Sequence, residues 1–352
     1  MRRALLVDTA GVAAATLIVF TGYLSASHSG GDPDPLALLT IGVVAAVVLA
    51  RIVSSANRVL IPGLVVVVVA VVALSSSGDL FSSWALSGPF GYVNAKSAFF
   101  GLAVVGGLAL GVLGRRASTR TLGRVAAVGA AAIVVTSGTV AVASLLPAAV
   151  LGVVIRTPRA IRFLVFGCAL VVMVAIASTF IIAASRERDP GPAERFAARS
   201  LSERRLVLWH EAWVILRDHP VSGVGPGRFQ VVSPTARSDR DSRWAHNEFL
   251  QIGAETGVPG LLGIMGVFAW GFARLSMAMT PTRATGLAAL ALAFLGIQAC
   301  VDYVFHFPAI PVLGALLVGG LVEPTSGQLP EPTADGVPYV THASEAAREA
   351  RS

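Results

Sequence analysis

One short segment combines a histidine with the surroundings that a general base requires. Residues 244–251 read Trp-Ala-His-Asn-Glu-Phe-Leu-Gln, and their periodicity predicts a helix that begins at His246 and ends near Gly257. His246 shares a face with Phe249 and Leu250, so it points toward packed residues. A helix N-terminus and partial burial both disfavour a positively charged imidazole, and a neutral, oriented imidazole is a competent general base. The alternative is a core histidine bonded to a backbone carbonyl.

A glycine-rich segment precedes this histidine. Residues 223–229 place Gly225 and Gly227 on either side of Pro226, and Arg228 follows. Glycine lets backbone amides approach a ligand closely, so an anion cradle and a plain turn both remain open. The segment is neither a dinucleotide fingerprint nor a Walker loop, because no strand precedes it and no Gly-Lys-Ser/Thr ending follows.

A third polar group lies near the C-terminal end, where Asp302 and His306 are four residues apart. Ionisable residues at a membrane boundary are costly unless they are solvated or paired. The spacing predicts that the two pair on one helical turn, either as a structural pair or to orient the substrate or the base. We expect no metal site, since His246 and Glu248 fall on different helix faces and no His-Glu-x-x-His spacing occurs.

A helix must position the basic residues that precede the glycine-rich segment. Residues 200–203 read Ser-Leu-Ser-Glu, a capping box that predicts a helix running to about Asp218. One face carries an apolar stripe of Leu206, Trp209, Trp213 and Leu216. We expect this helix to lie on the membrane surface with its tryptophans at headgroup level. Arg205 lies at the edge of the stripe, and Arg204 lies nearer to water.

The composition explains why the chain must be a membrane protein. Of its 352 residues, 55% are hydrophobic and 13% are charged, whereas soluble domains average about 25% charged residues. So few charges exclude an ordinary soluble enzyme, a disordered chain and a nucleic-acid-binding module. The net charge of +7 comes from arginines clustered between apolar runs, which is an orientation signal rather than a nucleic-acid surface.

The hydropathy pattern predicts an all-α integral membrane protein with about ten transmembrane helices. The candidate spans are 8–27, 36–50, 59–77, 97–113, 125–137, 139–155, 163–183, 257–273, 284–302 and 308–322. If the N-terminus is cytoplasmic, alternation places four basic clusters inside: Arg51/Arg58, Arg115/Arg116/Arg120/Arg124, Arg156/Arg159/Arg162 and Arg274/Arg283. This agreement requires a break between two helices at residues 136–139.

The same pattern divides the chain into four parts. Residues 1–183 hold about seven N-terminal transmembrane helices, and residues 257–322 hold about three more. Between them, residues 184–256 form one long extracytoplasmic loop with short interfacial helices. Residues 323–352 are rich in Pro, Thr, Ala and Glu, which is typical of a disordered cytoplasmic tail.

The order of these motifs resembles the O-antigen ligase and polymerase family. The resemblance is dense over residues 200–262 and weaker at two flanking segments. The dense part comprises Arg205-Leu-Val-Leu-Trp209, Asp218-His-Pro220, the glycine-rich segment, His246-Asn-Glu-Phe-Leu250 and Glu255-Thr-Gly257-Val-Pro-Gly260. The weaker segments are Gly88-Pro-Phe-Gly-Tyr-Val-Asn94 and Asp302 to Pro308. Each motif alone is weak, but the ordered set within one loop is specific.

This resemblance implies a multi-pass glycosyltransferase of the bacterial plasma (inner) membrane. Such enzymes move a glycan from an undecaprenyl diphosphate carrier to a hydroxyl of a lipid or glycan acceptor, and they need no metal or cofactor. The resemblance implies that His246 is the base and that Arg205 binds the diphosphate. In-line attack from the face opposite the leaving group would invert the anomeric carbon. Further candidates for substrate binding are Arg204, Arg228, Gly225, Gly227, Asn247, Asn94, Lys96, Asp302 and His306.

One departure from the family keeps other functions open. The family usually carries another arginine in a middle helix, whereas residues 136–139 here read Thr-Ser-Gly-Thr. Arg204, Arg228 and Lys96 are the candidates to replace it, and loss of activity is the alternative. A transporter or flippase of lipid-linked sugars, or a non-catalytic envelope assembly protein, would also carry many helices. Paired broken helices and midplane charges, which are typical of transporters, are not evident in the sequence.

Overall fold

The computed structural model describes residues 2–75, 90–136, 155–186, 202–238 and 242–322. Within these ranges it contains twelve α-helices and no strand, which confirms the predicted all-α class. The helices are α1 (Arg2–Ser29), α2 (Asp34–Ala56), α3 (Leu60–Ser75), α4 (Val93–Leu113), α5 (Ala117–Thr136), α6 (Pro158–Ser185), α7 (Glu203–Asp218), α8 (Phe229–Val232), α9 (Pro234–Ser238), α10 (Glu248–Ser276), α11 (Arg283–Val301) and α12 (Ala309–Leu321).

Seven of the described helices are long and apolar enough to cross a membrane, namely α1, α2, α4, α5, α6, α10 and α11. The helices α3 and α12 are apolar but shorter, with 16 and 13 residues. The chain is therefore a multi-pass membrane protein, although the predicted number of ten spans is not confirmed. The span predicted at 139–155 lies almost wholly outside the described residues, and the tail predicted at 323–352 lies entirely outside them.

Two helices at the centre of the bundle hold the others together. In α4 and α11, 78% and 89% of the membrane-spanning window is buried, whereas α1, α2, α5 and α6 bury less than a third. Helices that are apolar on all sides are typical of such central positions. Small residues bring α5 onto α4: a Cβ added to Gly107 would lie 2.7 Å from the carbonyl oxygen of Gly123. This close approach is the packing that small residues allow between membrane helices.

The helix that follows His246 is continuous but kinked. The sequence predicted a short helix ending near Gly257 and a separate span after it, whereas α10 runs on to Ser276 with non-helical dihedrals at Gly257 (φ 73°, ψ −174°). Glycine adopts this conformation without a steric penalty, and Pro259 is tolerated in the first turn after the kink. The residues of α10 before the kink are buried, so this part of the predicted loop packs into the protein.

Helix α7 has the predicted end but a different start and surroundings. It ends at Asp218 as predicted, but its N-cap is Ser202, so the predicted capping box is wrong, and Ser200 lies outside the described residues. The predicted exposure of the stripe to the membrane surface is also wrong, because Leu206 and Trp209 are each only 1% exposed. The stripe packs against α6 and α10, since burial within the protein removes more apolar area from water than a headgroup layer would.

Candidate functional site

The carboxylate of Asp302 lies at the centre of a polar cluster. Asp302 is the C-cap of α11, and its side chain is only 2% exposed. The oxygen Oδ1 lies 3.1 Å from Nδ1 of His246, and Oδ2 lies 3.4 Å from Nη2 of Arg205. The hydroxyl of Tyr92 donates to both oxygens at 2.9 and 2.8 Å, and the amide of Asn94 donates to Oδ2. Four side chains from distant parts of the sequence thus converge on one carboxylate.

The charge of this carboxylate fixes the tautomer of His246. Burial raises the pKa of Asp302, but the hydrogen bond from His246 and the positive charge of Arg205 outweigh burial, so the pKa lies below its ordinary value. An ionised carboxylate only accepts hydrogen bonds, so Nδ1 of His246 is the donor, and in the neutral ring the lone pair then lies on Nε2. Among the described residues, no hydrogen bond engages Nε2. An imidazole held in this way can accept a proton from a substrate hydroxyl.

The backbone at His246 is held in an unusual conformation. Its φ is 51°, in the left-handed region, and it is the one non-glycine residue with positive φ in the described chain. Its carbonyl accepts a hydrogen bond from Nε1 of Trp209 at 3.2 Å. The next residue, Asn247, is the N-cap of α10 and accepts from the amide of Leu250 at 3.0 Å. His246 therefore precedes the N-cap instead of beginning the helix, and contacts on both sides fix its orientation.

Arg205 and Asn247 connect the loop to the end of α11. The last carbonyls of a helix lack intrahelical partners. Here the amide of Asn247 donates to the carbonyl of Cys300 at 2.7 Å, and Nη1 of Arg205 donates to the carbonyl of Val301 at 3.2 Å. Nη2 of Arg205 also lies 3.5 Å from the hydroxyl of Tyr92. The Arg205 side chain remains 19% exposed and that of His246 12%, so both still reach the surface of the cluster.

Aromatic rings surround the cluster. Tyr92 stacks on Tyr303 with ring centroids 4.7 Å apart, and the His246 ring meets Tyr303 edge-on at 4.8 Å. Burial and the charge of Asp302 raise the pKa of Tyr92, so its hydroxyl stays protonated and donates. Tyr92 and Tyr303 were not predicted as site residues. The available signal for Tyr92 was its place in the 88–94 motif, two residues before Asn94.

The predicted pairing of Asp302 with His306 is wrong. Helix α11 ends at Val301, and His306 lies in a 3-10 turn (Val304–His306), so the two are not on one helical turn. His306 instead has its Nδ1 3.4 Å from Oε1 of Glu248 and its Nε2 3.4 Å from the amide of Gln251. Burial lowers the pKa of His306, but the charge and hydrogen bond of Glu248 outweigh it, so the pKa lies above its ordinary value.

The glycine-rich segment forms a turn that binds a carboxylate of the protein itself. The amides of Gly227 and Phe229 donate to the carboxylate of Glu255, the latter at 3.2 Å. Gly225 packs so tightly that an added Cβ would lie 1.9 Å from the carbonyl oxygen of Gly30. Arg228 lies against Gly30 as well. The structure thus places Gly225, Gly227 and Arg228 beside Glu255 and the α1–α2 connection, apart from the Asp302 cluster.

The last two predicted site residues also lie elsewhere. Arg204 is exposed on α7, and Lys96 is buried in the first turn of α4. Of the predicted residues, the structure brings His246, Arg205, Asp302 and Asn94 into direct contact, with Asn247 beside them.

A comparison with protein families finds a match over the segment that contains Arg205 and His246. A family model described as O-antigen ligase matches residues 124–265. This match confirms the predicted resemblance to O-antigen ligases and polymerases. No curated protein matches the chain. The match supports a membrane glycosyltransferase of the ligase or polymerase type, acting on lipid-linked glycans.

The segment that matches the O-antigen ligase family model contains Arg205 and His246 but not Asp302, which contacts both side chains. Asp302 follows the segment, whereas Tyr92 and Asn94 precede it. The cluster is therefore completed by α11 and by the start of α4, outside the range that matches the family.

Proposed function

We propose that the protein transfers a glycan from an undecaprenyl diphosphate carrier to an acceptor hydroxyl, with His246 as the general base and Arg205 as the partner of the diphosphate. The observation that carries this proposal is the shared carboxylate of Asp302, which contacts His246 through one oxygen and Arg205 through the other. The family match supports the glycosyltransferase class of the proposal.

The proton transfer begins at Nε2 of His246. The acceptor hydroxyl donates its proton to Nε2 while its oxygen bonds to the anomeric carbon. The bond from that carbon to the diphosphate oxygen breaks at the same time, and the diphosphate leaves with the electron pair. Displacement in one step from the opposite face inverts the anomeric centre. Asp302 acts through His246 as a positioning residue, because it holds the Nδ1–H tautomer and stabilises the imidazolium that forms.

The charges of the cluster change in step with this reaction. In the proposed reaction, the charges of Asp302 and Arg205 cancel each other, and the base form of His246 is the neutral imidazole. After His246 accepts the proton, the three groups together carry one positive charge, just as the leaving diphosphate gains negative charge. Stabilisation of charge that develops in the transition state is the largest single contribution in many enzymes. The hydrogen bonds of Arg205 Nη2 are long, at 3.4 and 3.5 Å, so this group can exchange them for phosphate oxygens.

The site also meets the requirement that a lipid-linked donor imposes. The cluster lies at the start of α10 and the end of α11, two helices long enough to span a membrane. A diphosphate on a lipid carrier lies at the end of such spans, in the headgroup region. We propose that this end is extracytoplasmic, as the distribution of basic clusters predicts.

Replacement of His246 by Gln tests the proposal. We expect glycan transfer from a lipid-diphosphate donor to fall by about 10²–10⁴-fold, which is the usual contribution of a positioned base. Donor binding and thermal stability should remain close to those of the wild type. His219→Gln is the matched control, because His219 is exposed at the end of α7 in the same loop. Undiminished transfer by a folded His246→Gln protein would remove His246 as the base.

A further inference from the structure

A second charged cluster lies at the opposite end of α10 from His246. Nε of Arg274 and Nη1 of Arg51 lie 3.1 and 3.6 Å from Oδ1 of Asp8, and Nε1 of Trp270 donates to the same oxygen at 3.2 Å. Asp8 belongs to α1 and Arg51 to α2, so three spans meet here. From His246 to Arg274 the chain rises about 40 Å along α10, at roughly 1.5 Å per residue. This cluster is therefore separate from the proposed reaction site.

The charges of the second cluster do not balance. Two guanidinium groups share the single carboxylate of Asp8. The side chain of Arg274 is only 2% exposed, and among the described residues its Nη1 has no hydrogen-bond partner. Its Nε faces Asp8 without hydrogen-bond geometry. A buried donor that lacks an acceptor destabilises a protein, so an anion that reached Nη1 of Arg274 would gain a charge-assisted contact in an environment with surplus positive charge.

An apolar cavity adjoins this cluster. Its volume is about 490 Å³, and it runs beside α1, α2, α10, α11 and α12, from Trp270 at the Asp8 end of α10 to Glu248 and His306 at the other end. Val43 and Val47 of α2, Leu292 of α11 and Ala315 of α12 contribute to its walls. Trp270 connects the two features, because its ring lines the cavity while its Nε1 contacts Asp8. A hydrocarbon chain that enters the cavity at its Trp270 end would therefore pass close to the Asp8 cluster.

We propose that this end of the protein binds a membrane lipid with an anionic phosphate head group. The phosphate contacts Arg51 and Arg274, and one acyl chain enters the cavity. Guanidinium groups bind phosphate oxygens through paired, charge-assisted hydrogen bonds. Arg274 lies in the last turn of α10 and Arg51 lies near the end of α2, which is the level of lipid head groups for a spanning helix. The adjoining apolar walls favour a lipid over a free phosphate ion.

A purely structural cluster makes a different prediction. The C-terminal ends of α2 and α10 carry partial negative charge, which by itself stabilises arginines there. In that case Asp8 balances the remaining positive charge of the two arginines, and its replacement by a neutral residue only destabilises the protein. If the cluster binds an anionic lipid, Asp8 competes with the lipid phosphate. Asp8→Asn keeps an acceptor for Trp270 but removes the competing charge, so lipid binding should become stronger.

The experiment measures lipid binding to the full chain in a neutral detergent. Dioleoylphosphatidylglycerol is the probe, and bound lipid is counted by native mass spectrometry while the melting temperature is recorded. Dioleoylglycerol lacks the phosphate, and glycerol 3-phosphate lacks the acyl chains. We expect only phosphatidylglycerol to remain bound and to raise the melting temperature. An equal rise with glycerol 3-phosphate would identify a free-ion site and overturn the lipid proposal, as would equal binding of dioleoylglycerol.

Four variants locate the binding. Arg274→Gln and Arg51→Gln should each weaken phosphatidylglycerol binding about tenfold or more, the effect of one charge-assisted contact. Val43→Trp fills the cavity and should weaken it as well, without disturbing the arginines. Arg116→Gln is the control, because Arg116 is an exposed arginine before α5. Unchanged lipid binding in folded Arg274→Gln and Arg51→Gln proteins would overturn the proposal. Weaker binding in a folded Asp8→Asn protein would overturn it as well.

Discussion

Replacement of Asp302 by Asn gives the most specific test of the proposed mechanism. Asn keeps one acceptor oxygen and introduces an amide that donates. Oδ1 accepts from Tyr92 and from the backbone amide of Tyr303, whereas Oδ2 accepts from Tyr92, Asn94 and the charged Arg205. Because hydrogen bonds from a charged donor are the stronger ones, we expect the remaining oxygen to stay on the Arg205 side. The new amide then faces Nδ1 of His246. The substitution thus exchanges an acceptor for a donor at one position and changes little in shape.

The consequence for His246 follows from its two ring nitrogens. An amide donor opposite Nδ1 favours the tautomer with the proton on Nε2, so the lone pair that faces the substrate is lost. We expect kcat to fall by about 10²–10⁴-fold, since a general base contributes that much. KM for the donor should change little. Stability should fall by about 1.5–3 kcal/mol, near the lower value because Arg205 is partly exposed.

The assay is glycan transfer by the purified protein in lipid nanodiscs, with kcat and KM determined separately for a lipid-diphosphate donor. Asp218→Asn is the matched control, because Asp218 is exposed at the end of α7 and forms an ion pair with Arg217 at 3.0 Å. It should change the rate less than about twofold, as exposed ion pairs contribute little. A folded Asp302→Asn protein with the wild-type kcat would refute the role of Asp302 in positioning His246.

Three further predictions test other parts of the structure. Arg205→Lys should lower transfer about tenfold to a hundredfold in kinetic assays, because a lysine lacks the planar fork for phosphate oxygens, whereas Arg217→Lys should not. Gly225→Ala should lower the melting temperature far more than Gly227→Ala: both glycines have positive φ, but an added Cβ meets a backbone oxygen at 1.9 Å only in Gly225. The third concerns pH: because the folded pKa of His306 is raised, the stability it contributes is full below about pH 6.5 and is lost as pH rises through the folded pKa. The melting temperature of wild type relative to His306→Gln should therefore fall between pH 6 and 9, and a constant difference would contradict the pairing with Glu248.

The sequence could predict the class of the fold because composition and hydropathy carry that information. Low charge and long apolar runs are enough to predict an all-α membrane protein. Arg51 and Arg274 both contact Asp8. This agrees with the predicted alternation of transmembrane spans, which placed both arginines on the same side of the membrane. Helix boundaries were less predictable. The continuous α10 shows why, since a glycine followed by proline can either end a helix or kink it, and packing decides between the two.

The candidate site could be predicted only in part. His246 and Arg205 stand in recognisable motifs, but their common partner, Asp302, is 56 residues beyond His246. The spacing of Asp302 and His306 indicated a local pair, and the end of α11 at Val301 prevents it. Likewise the stripe on α7 has the pattern of an interfacial helix, and nothing in a periodic pattern distinguishes lipid from protein as the apolar neighbour. Long-range partners of this kind follow from tertiary packing alone.

The conformation of His246 gives a separate reason to treat its orientation as functional. A left-handed backbone costs a non-glycine residue about 1–2 kcal/mol, and such strain persists where the surrounding structure over-determines it. A histidine that only fills space would have no need of it. Here Trp209 holds the carbonyl, Asn247 caps the following helix, and Asp302 holds the ring. The three contacts fix the backbone and Nδ1 but leave Nε2 without a hydrogen bond from the described residues, which is the arrangement expected of a base kept ready for a substrate proton.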